Sequence, residues 1–381
     1  MNQFDHSHDR RSAGSIKWLR YPEQVLPMWV ADLDFSPPPT VTKALEQRIR
    51  QQEFGYQAEY TPAKEAVVDW LFRRHGWKVS PEDIVLLPSV VAGFNLAARA
   101  AAQPGESVVV QQPAYRPFFK VAEHAGLNQQ RDTLRQASDG RYLLDLDSFG
   151  RALKPNSRLF LLCNPQNPTG RVFDRRELLA MAELCLKNQT LICADEIHSD
   201  LIYQGSRHLP IASLDPEIAA QTITLVAPSK TFNLAGLKTA AAVITNPEIR
   251  DRFLAAKEGL ITRPNLLGVT AMQTAYLEGE SWLDDLLVYL EKNRDLLVRT
   301  IQENLPQVKI FPPEGTYLAW LDFRPSGISD PYQFLLDEAK VAVNPGEWFG
   351  PAGKGFVRLN FGCPRARLEE GLRRIQAALL S

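Results

Sequence analysis

Thr190-Leu191-Ile192-Cys193-Ala194-Asp195-Glu196-Ile197-His198 is the stretch of this 381-residue chain that decides its fold. An apolar run leads directly into a carboxylate, which predicts a buried strand with Asp195 at its carboxyl end. Open α/β sheets bind their ligands at that end of their strands. We therefore predict an α/β protein with a ligand site beside Asp195.

The same strand pattern recurs on both sides of this stretch. Apolar strand candidates cover residues 84–87, 107–111, 158–163, 190–194, 222–227 and 239–245. Helical spacing is found at 40–50 and 62–75, and again between the strands at 175–187. Continuous apolar strands of this kind are typical of a mostly parallel sheet covered by helices on both faces.

The chain is too long for one small core, so we expect two domains. We assign residues 51–263 to a large domain and 264–381 to a linker helix and a smaller α+β domain. Residues 1–50 would associate with the small domain. In the C-terminal part, the apolar spacing predicts a long amphipathic helix at 281–305. We also predict short strands at 315–323, 341–343 and 355–360, and a closing helix at 367–380.

Two more motifs flank Asp195 at intervals of about thirty residues, and each interval fits one βα unit. They are Asn164-Pro165-Gln166-Asn167-Pro168-Thr169-Gly170 and Pro228-Ser229-Lys230-Thr231-Phe232-Asn233-Leu234-Ala235-Gly236. An isolated Ser-Lys is usually a surface lysine, and an aspartate at a strand end is often a helix cap. An amide, an acid and a lysine in this order and spacing rarely occur together by chance.

These three groups are the ones that a protein needs in order to use the cofactor pyridoxal 5'-phosphate (PLP). A lysine amine holds the PLP aldehyde as a Schiff base, and a carboxylate keeps the pyridine nitrogen protonated, so that the ring draws electrons from the substrate Cα. Lys230 and Asp195 are the catalytic candidates for these roles. A lysine must lose its proton to act, and desolvation or a neighbouring cation lowers its pKa.

From about Asp9 to the C-terminus the chain resembles the class I/II aminotransferase superfamily of fold type I PLP enzymes. Within it the chain is most similar to the MalY/PatB branch of cystathionine β-lyases, also called C-S lyases. This narrower resemblance rests on Asp9-Arg10-Arg11, Ser15-Ile16-Lys17-Trp18, Leu26-Pro27-Met28-Trp29-Val30-Ala31-Asp32-Leu33-Asp34-Phe35, Phe54-Gly55-Tyr56, Ser89-Val90-Val91-Ala92-Gly93, Pro113-Ala114-Tyr115 and Asp195-Glu196-Ile197-His198. It implies a sheet of the seven-stranded type in the large domain.

The resemblance implies a role for each residue around the PLP ring. Lys230 would carry the cofactor, and Asp195 would pair with the pyridine nitrogen. Tyr115 would lie against the ring face and take part in catalysis. Asn167 and His198 would hydrogen-bond the phenolic oxygen of the ring.

The phosphate of PLP would be held at the start of a helix, where backbone N–H groups are free. The resemblance assigns Val91 and Ala92 to this role, together with the hydroxyl of Ser229 and the cation of Lys238. Ala227 and Lys238 depart from the superfamily pattern, which has serine or glycine at the first position and arginine at the second. A lysine keeps the positive charge but loses the bidentate fork.

Substrate recognition would use Arg358, because a guanidinium matches a planar carboxylate with two parallel hydrogen bonds. Asn167 would assist it, and Val30 and Ala31 would line the substrate side of the pocket. Tyr56, or else Tyr60, would reach the phosphate in a neighbouring subunit. The resemblance therefore implies a homodimer with shared active sites.

The reaction implied is α,β-elimination from L-cystathionine or a related cysteine S-conjugate, which gives a thiol such as homocysteine, pyruvate and ammonia. This reaction belongs to amino-acid metabolism. Two alternatives stay open. One is an aminotransferase of the same fold, which moves an amino group to a 2-oxo acid. The other is a protein of this fold that acts chiefly as a regulatory binding partner.

Composition argues against several other classes of protein. The chain has 43 Lys and Arg against 44 Asp and Glu, so it has no net field that would attract nucleic acid or an anionic membrane. Its four cysteines show neither CxxC nor zinc spacing, so we predict no metal site and interpret them as core residues. The polar N-terminus lacks the apolar part of a signal peptide, and no apolar run would span a bilayer. We expect a cytoplasmic protein.

Overall fold

The computed structural model describes residues 2–6, 8–57 and 60–380. The strands are β1 (Leu26–Pro27), β2 (Ile84–Leu87), β3 (Ser107–Gln112), β4 (Asn128–Thr133), β5 (Arg135–Gln136), β6 (Tyr142–Leu143), β7 (Ser157–Cys163), β8 (Leu191–Asp195), β9 (Thr222–Val226), β10 (Ala240–Val243), β11 (Lys309–Ile310), β12 (Leu318–Asp322), β13 (Val341–Ala342), β14 (Asn344–Pro345) and β15 (Phe356–Asn360). The α-helices are α1 (Ile16–Leu19), α2 (Pro39–Arg50), α3 (Thr61–His75), α4 (Val90–Ala101), α5 (Val121–Ala125), α6 (Leu146–Ala152), α7 (Arg175–Lys187), α8 (Pro216–Ala220), α9 (Pro228–Thr231), α10 (Pro247–Lys257), α11 (Leu266–Glu278), α12 (Glu280–Asn304), α13 (Pro331–Asp337) and α14 (Arg365–Leu380).

Within the described residues, the main sheet has seven strands in the order β2-β10-β9-β8-β7-β3-β4. Strands β9, β8, β7, β3 and β4 pair in parallel, whereas β10 runs antiparallel to both of its neighbours. Every residue of β3 and β8 is buried, as expected for strands covered on both faces. The predicted α/β fold with a mostly parallel sheet is confirmed.

Strand β4 was not predicted from the sequence. Its residues Asn128-Gln129-Gln130-Arg131-Asp132-Thr133 are polar, and only Asp132 is buried. It lies at the edge of the sheet and, among the strands that the structure describes, pairs with β3 alone. An edge strand needs no apolar pattern, because one of its sides remains accessible to water.

Helix α4 begins soon after β2, at one edge of the sheet, and α7 begins after the loop that follows β7; polar caps mark where both helices begin. Ser89 caps α4, since its Oγ accepts a hydrogen bond from the Ala92 N–H at 3.1 Å. Asp174 and Glu177 form a reciprocal capping box at the start of α7. The N-terminus of α4 therefore follows β2 closely, on the side where the predicted ligand site lies.

The C-terminal part contains an antiparallel sheet in the order β11-β12-β15-β14. The short strand β1 pairs with β13, so the N-terminal segment contacts this part of the chain. The long helix α12 buries a stripe that includes Leu283, Leu286, Leu290 and Leu297. Among the described residues, no helix combines the length and apolar character that crossing a membrane requires. The domain boundaries assigned from the sequence stay predictions.

Candidate active site

A cavity of about 210 Å³ lies beyond the carboxyl ends of β7, β8 and β9. Eleven of the residues predicted for the site line it: Val30, Ala31, Val91, Tyr115, Asn167, Asp195, His198, Ser229, Lys230, Lys238 and Arg358. They come from segments more than three hundred residues apart in the chain, and the fold brings them to one place.

Asp195 is the last residue of β8, opposite Cys163 of β7. Its side chain is 4% exposed, and its Oδ1 accepts a hydrogen bond from the Ile197 N–H at 3.2 Å. Burial raises the pKa of this carboxyl to about 7, although the Ile197 N–H and the charge of Lys230 oppose the rise. A cation facing Asp195 would therefore be needed to keep it fully ionised.

Lys230 lies in the short helix α9, and its Nζ donates a hydrogen bond to the Ala31 carbonyl at 2.6 Å. Removal of water lowers the pKa of this amine to about 8, against the attraction of the nearby Asp32 carboxylate. The charge of Arg358 also lowers the pKa. A lysine of this pKa is partly neutral near pH 7 and can act as a nucleophile or a base.

Arg358 lies on β15 with 5% of its surface exposed. Its Nη1 donates to Asn167 Oδ1 at 2.9 Å, and its Nη2 donates to the Trp29 carbonyl at 3.0 Å and to Asn344 Oδ1. The ring of Phe349 lies 4.9 Å from the guanidinium carbon. Burial lowers the pKa of Arg358 to about 10, so it stays cationic at neutral pH.

Two buried nitrogen atoms in the cavity wall lack a hydrogen-bond partner in the described part of the chain, Arg358 Nε and His198 Nδ1. Burial lowers the pKa of His198 to about 3, so its imidazole is neutral. Leaving a buried polar group unpaired costs about 1–3 kcal/mol, so these atoms indicate a polar ligand.

The end of the cavity assigned to a phosphate is lined by Ser89, Val91, Ser229 and Lys238. Ala92 is not among the described residues that line it, and its N–H is bonded to the Ser89 hydroxyl. Its predicted contact with the phosphate thus competes with the helix cap. The individual roles of these residues stay predictions.

Tyr56 is 97% exposed and lies away from the cavity. Together with Tyr60 and Arg263 it lines a separate surface depression. Arg263 fixes the adjoining segment, since its Nη1 donates to the Gln57 carbonyl at 2.6 Å. Within one chain Tyr56 does not reach the site, so its predicted role needs a second copy.

Sequence reasoning missed two side chains that support the site. The Tyr317 hydroxyl donates to the Ala31 carbonyl at 3.2 Å, beside Lys230 Nζ on the same oxygen. Asn360 holds the carbonyls of Val30 and Asp32. The position of Asn360 could have been inferred, because residues two apart on a strand share a face and Arg358 was already a candidate. No pattern in the sequence marks Tyr317.

Residues 23–375 match the model of the family Aminotransferase class I and II. The chain belongs to this family. Cystathionine beta-lyase PatB of Bacillus subtilis (strain 168) is 43% identical to it over 386 residues, which cover 99% of each chain. The predicted family and its lyase branch are confirmed.

Solved structures agree in fold over the whole length. Cystalysin from Treponema denticola, whose crystal structure contains a pyridoxal 5'-phosphate cofactor, superposes with a TM-score of 0.95 at 31% identity, covering 100% of this chain and 99% of that one. The PLP-bound C-S lyase from Staphylococcus hominis gives a TM-score of 0.92 at 30% identity, with 99% of both chains covered.

Proposed function

We propose that the protein is a PLP-dependent carbon–sulfur β-lyase. It cleaves L-cystathionine or a related cysteine S-conjugate into a thiol, pyruvate and ammonia. The observation that carries the proposal is the convergence of Lys230, Asp195 and Arg358 on one cavity. The similarity to cystathionine beta-lyase PatB and to PLP-containing lyases confirms the predicted cofactor and class of reaction.

The residues present fit PLP. The partly neutral amine of Lys230 suits an aldehyde, and the buried carboxyl of Asp195 suits a protonated pyridine nitrogen. Ser229, Lys238 and the start of α4 would hold the phosphate, and Tyr115 would cover the ring. When bound, PLP withdraws electrons from the substrate Cα, which makes the Cα–H acidic and lets the sulfur on Cβ depart.

Lys230 is the base that this chemistry needs. With its pKa lowered to about 8, its Nζ can accept the Cα proton near neutral pH. The Ala31 carbonyl, 2.6 Å from Nζ, holds the amine in one orientation. The lowered pKa also limits how tightly Nζ keeps the proton, so that it can be released again.

Arg358 orients the substrate. Its Nη2 is engaged by Trp29 and Asn344, whereas its Nε has no partner among the described residues. An α-carboxylate that accepts from Nε and takes the place of one partner of Nη2, the nitrogen on the same side of the guanidinium, would meet two N–H donors of fixed direction. Such a contact fixes the Cα–H relative to Lys230.

We further propose that the enzyme is a cytoplasmic homodimer. The almost complete exposure of Tyr56 supports the homodimer. A large aromatic side chain that packs against so little of its own chain is suited to contact with a partner. In the dimer Tyr56 of one copy would complete the phosphate site of the other.

The test combines a spectrum with a product assay. Purified protein mixed with PLP should show a yellow absorbance band, and borohydride should fix the cofactor on Lys230. L-cystathionine should then yield pyruvate and a thiol in equal amounts. Efficient amino transfer to a 2-oxo acid without pyruvate would instead identify an aminotransferase.

A further inference from the structure

The segment Trp29–Asp32, here called the strap, borders the cavity through Val30 and Ala31. Each of its four carbonyl groups accepts hydrogen bonds from a side chain. Trp29 O accepts from Arg358 Nη2 at 3.0 Å, Val30 O from Asn360 Nδ2 at 2.6 Å, Ala31 O from Lys230 Nζ at 2.6 Å, and Asp32 O from Asn360 Nδ2 at 2.9 Å and Lys17 Nζ at 2.9 Å.

The four carbonyls thus alternate between two kinds of partner. The carbonyls of Trp29 and Ala31 bind two of the cations that line the cavity, Arg358 and Lys230. The carbonyls in the other two positions bind the single amide nitrogen of Asn360. Because peptide groups are planar and rigid, holding two of these carbonyls also limits how the neighbouring ones can point.

Asn360 is itself firmly held. It is 1% exposed, and its Oδ1 accepts a hydrogen bond from the Gly362 N–H at 2.7 Å. It lies two residues after Arg358 on β15, so both side chains project from the same face of that strand. The amide has no freedom to turn without breaking its bonds to the strap.

We infer that Asn360 is a positioning residue for the reaction. Through the strap it sets the direction of the Trp29 carbonyl toward Arg358 and of the Ala31 carbonyl toward Lys230. It thereby links the group that binds the substrate carboxylate to the group that moves the Cα proton. The inference deepens the proposed function and rests on it for these two roles.

Asn293 provides a matched control. It is fully buried in α12, and its Nδ2 also donates to two carbonyls, those of Phe361 at 3.3 Å and Cys363 at 2.8 Å. It holds the turn after β15, and neither of these two hydrogen bonds involves the strap. Asn293→Ala and Asn360→Ala each remove two hydrogen bonds donated to backbone carbonyls, and Asn360→Ala also removes the bond accepted from the Gly362 N–H. The donated bonds of the two residues differ in which carbonyls they position.

The first readout uses the PLP-loaded protein and glycine, which binds through its amine and carboxylate but has no group to eliminate. The absorbance change on glycine binding gives a Kd. We expect Asn360→Ala to raise this Kd about tenfold or more, equivalent to about 1.4 kcal/mol. We expect Asn293→Ala to leave it within twofold, while both variants unfold at a similarly lowered temperature.

The second readout uses PLP-free protein and measures the pH at which Lys230 becomes reactive toward an amine label. The Ala31 carbonyl favours the charged form of Lys230, so a displaced carbonyl should move the midpoint to lower pH in Asn360→Ala only. Asn360→Ser, which keeps one donor, replaces the alanine variant if that variant does not fold.

Equal behaviour of the Asn360 and Asn293 variants in both readouts would refute the inference. Failure of the proposed function would look different, because the parent protein would then form no yellow band with PLP or would release no pyruvate from L-cystathionine. The labelling of Lys230 in PLP-free protein would still test the link through the strap.

Discussion

The acidity of Lys230 is the property on which the proposed chemistry most depends. Burial lowers its pKa from 10.5 to about 8. At pH 7 a lysine with a pKa of 8 is about 10% neutral, whereas one with a pKa of 10.5 is about 0.03% neutral. We therefore expect Lys230 in the PLP-free protein to react with an amine label roughly three hundred times faster at pH 7 than an ordinary lysine would.

Two substitutions should move this pKa in opposite directions. Asp32 raises the pKa of Lys230 and Lys238 lowers it. Asp32→Asn should therefore shift the labelling midpoint to lower pH, and Lys238→Met should shift it to higher pH. Label incorporation at Lys230 is followed by mass spectrometry between pH 6 and 11, with the exposed Lys309 as an internal reference for reagent strength.

A midpoint for Lys230 near 10.5 in the parent protein would refute the reasoning, because burial would then not control the proton. Shifts of the same sign in Asp32→Asn and Lys238→Met would also refute it. They would show that structural loosening, and not the charge that each variant removes, governs the reactivity of the amine.

Three further outcomes are expected. Arg358→Lys should lower kcat/KM for cysteine conjugates roughly a hundredfold, about 3 kcal/mol, because an ammonium loses the bidentate contact with the carboxylate. Mixed Tyr56→Phe and Lys230→Ala subunits should regain about a quarter of the parent activity, since half of the dimers would contain one intact site. Asp34→Ala should lower the free energy of unfolding in urea by about 3–5 kcal/mol, because the fully buried Asp34 neutralises Lys17 at 3.1 Å and Arg367 at 2.9 Å.

The contribution of Asp34 to stability also depends on pH. Burial alone would raise the pKa of Asp34, but Lys17, Arg367 and Arg10 outweigh it and lower the pKa. Its contribution to stability is therefore present above the ordinary aspartate pKa of 3.8 and is lost as pH falls through the lowered value. An Asp34→Ala variant as stable as the parent at pH 7 would contradict this account.

Unchanged kcat/KM in Arg358→Lys would mean that the carboxylate binds elsewhere. If the mixture of Tyr56→Phe and Lys230→Ala subunits were no more active than the two separate variants, a site shared between subunits would be excluded. Unmixed Tyr56→Phe and Lys230→Ala preparations are the controls for the mixing experiment, and each should be less active than the mixture.

The sequence predicted those parts of the molecule that depend on local pattern. The main-sheet strands other than β4 were found because they are buried on both faces and read as continuous apolar runs. Asp195 was recognised because it ends such a run. Strand β4 was missed because an edge strand carries polar residues. Tyr317 was missed because its function depends on Ala31, which is 286 residues away in the chain.

The partners of a side chain were the least predictable feature. Arg358 was expected to bind a carboxylate, but its bonds to Asn167, Asn344 and Trp29 join three separate segments. The order of these segments in the chain gives no sign that they meet. Strand pairing within the small antiparallel sheet places Asn344 beside Arg358, and both the N-terminal segment and the loop after β7 reach Arg358 from elsewhere in the fold.

Cys163 lines the cavity directly beside Asp195. Burial and then the charge of Asp195 raise the pKa of its thiol far above the usual range, so the sulfur stays protonated at neutral pH. A protonated thiol is a poor nucleophile and exchanges slowly with disulfides. In an enzyme that releases a thiol, as proposed, such a cysteine exchanges only slowly with the disulfide that this product forms when it is oxidised in solution.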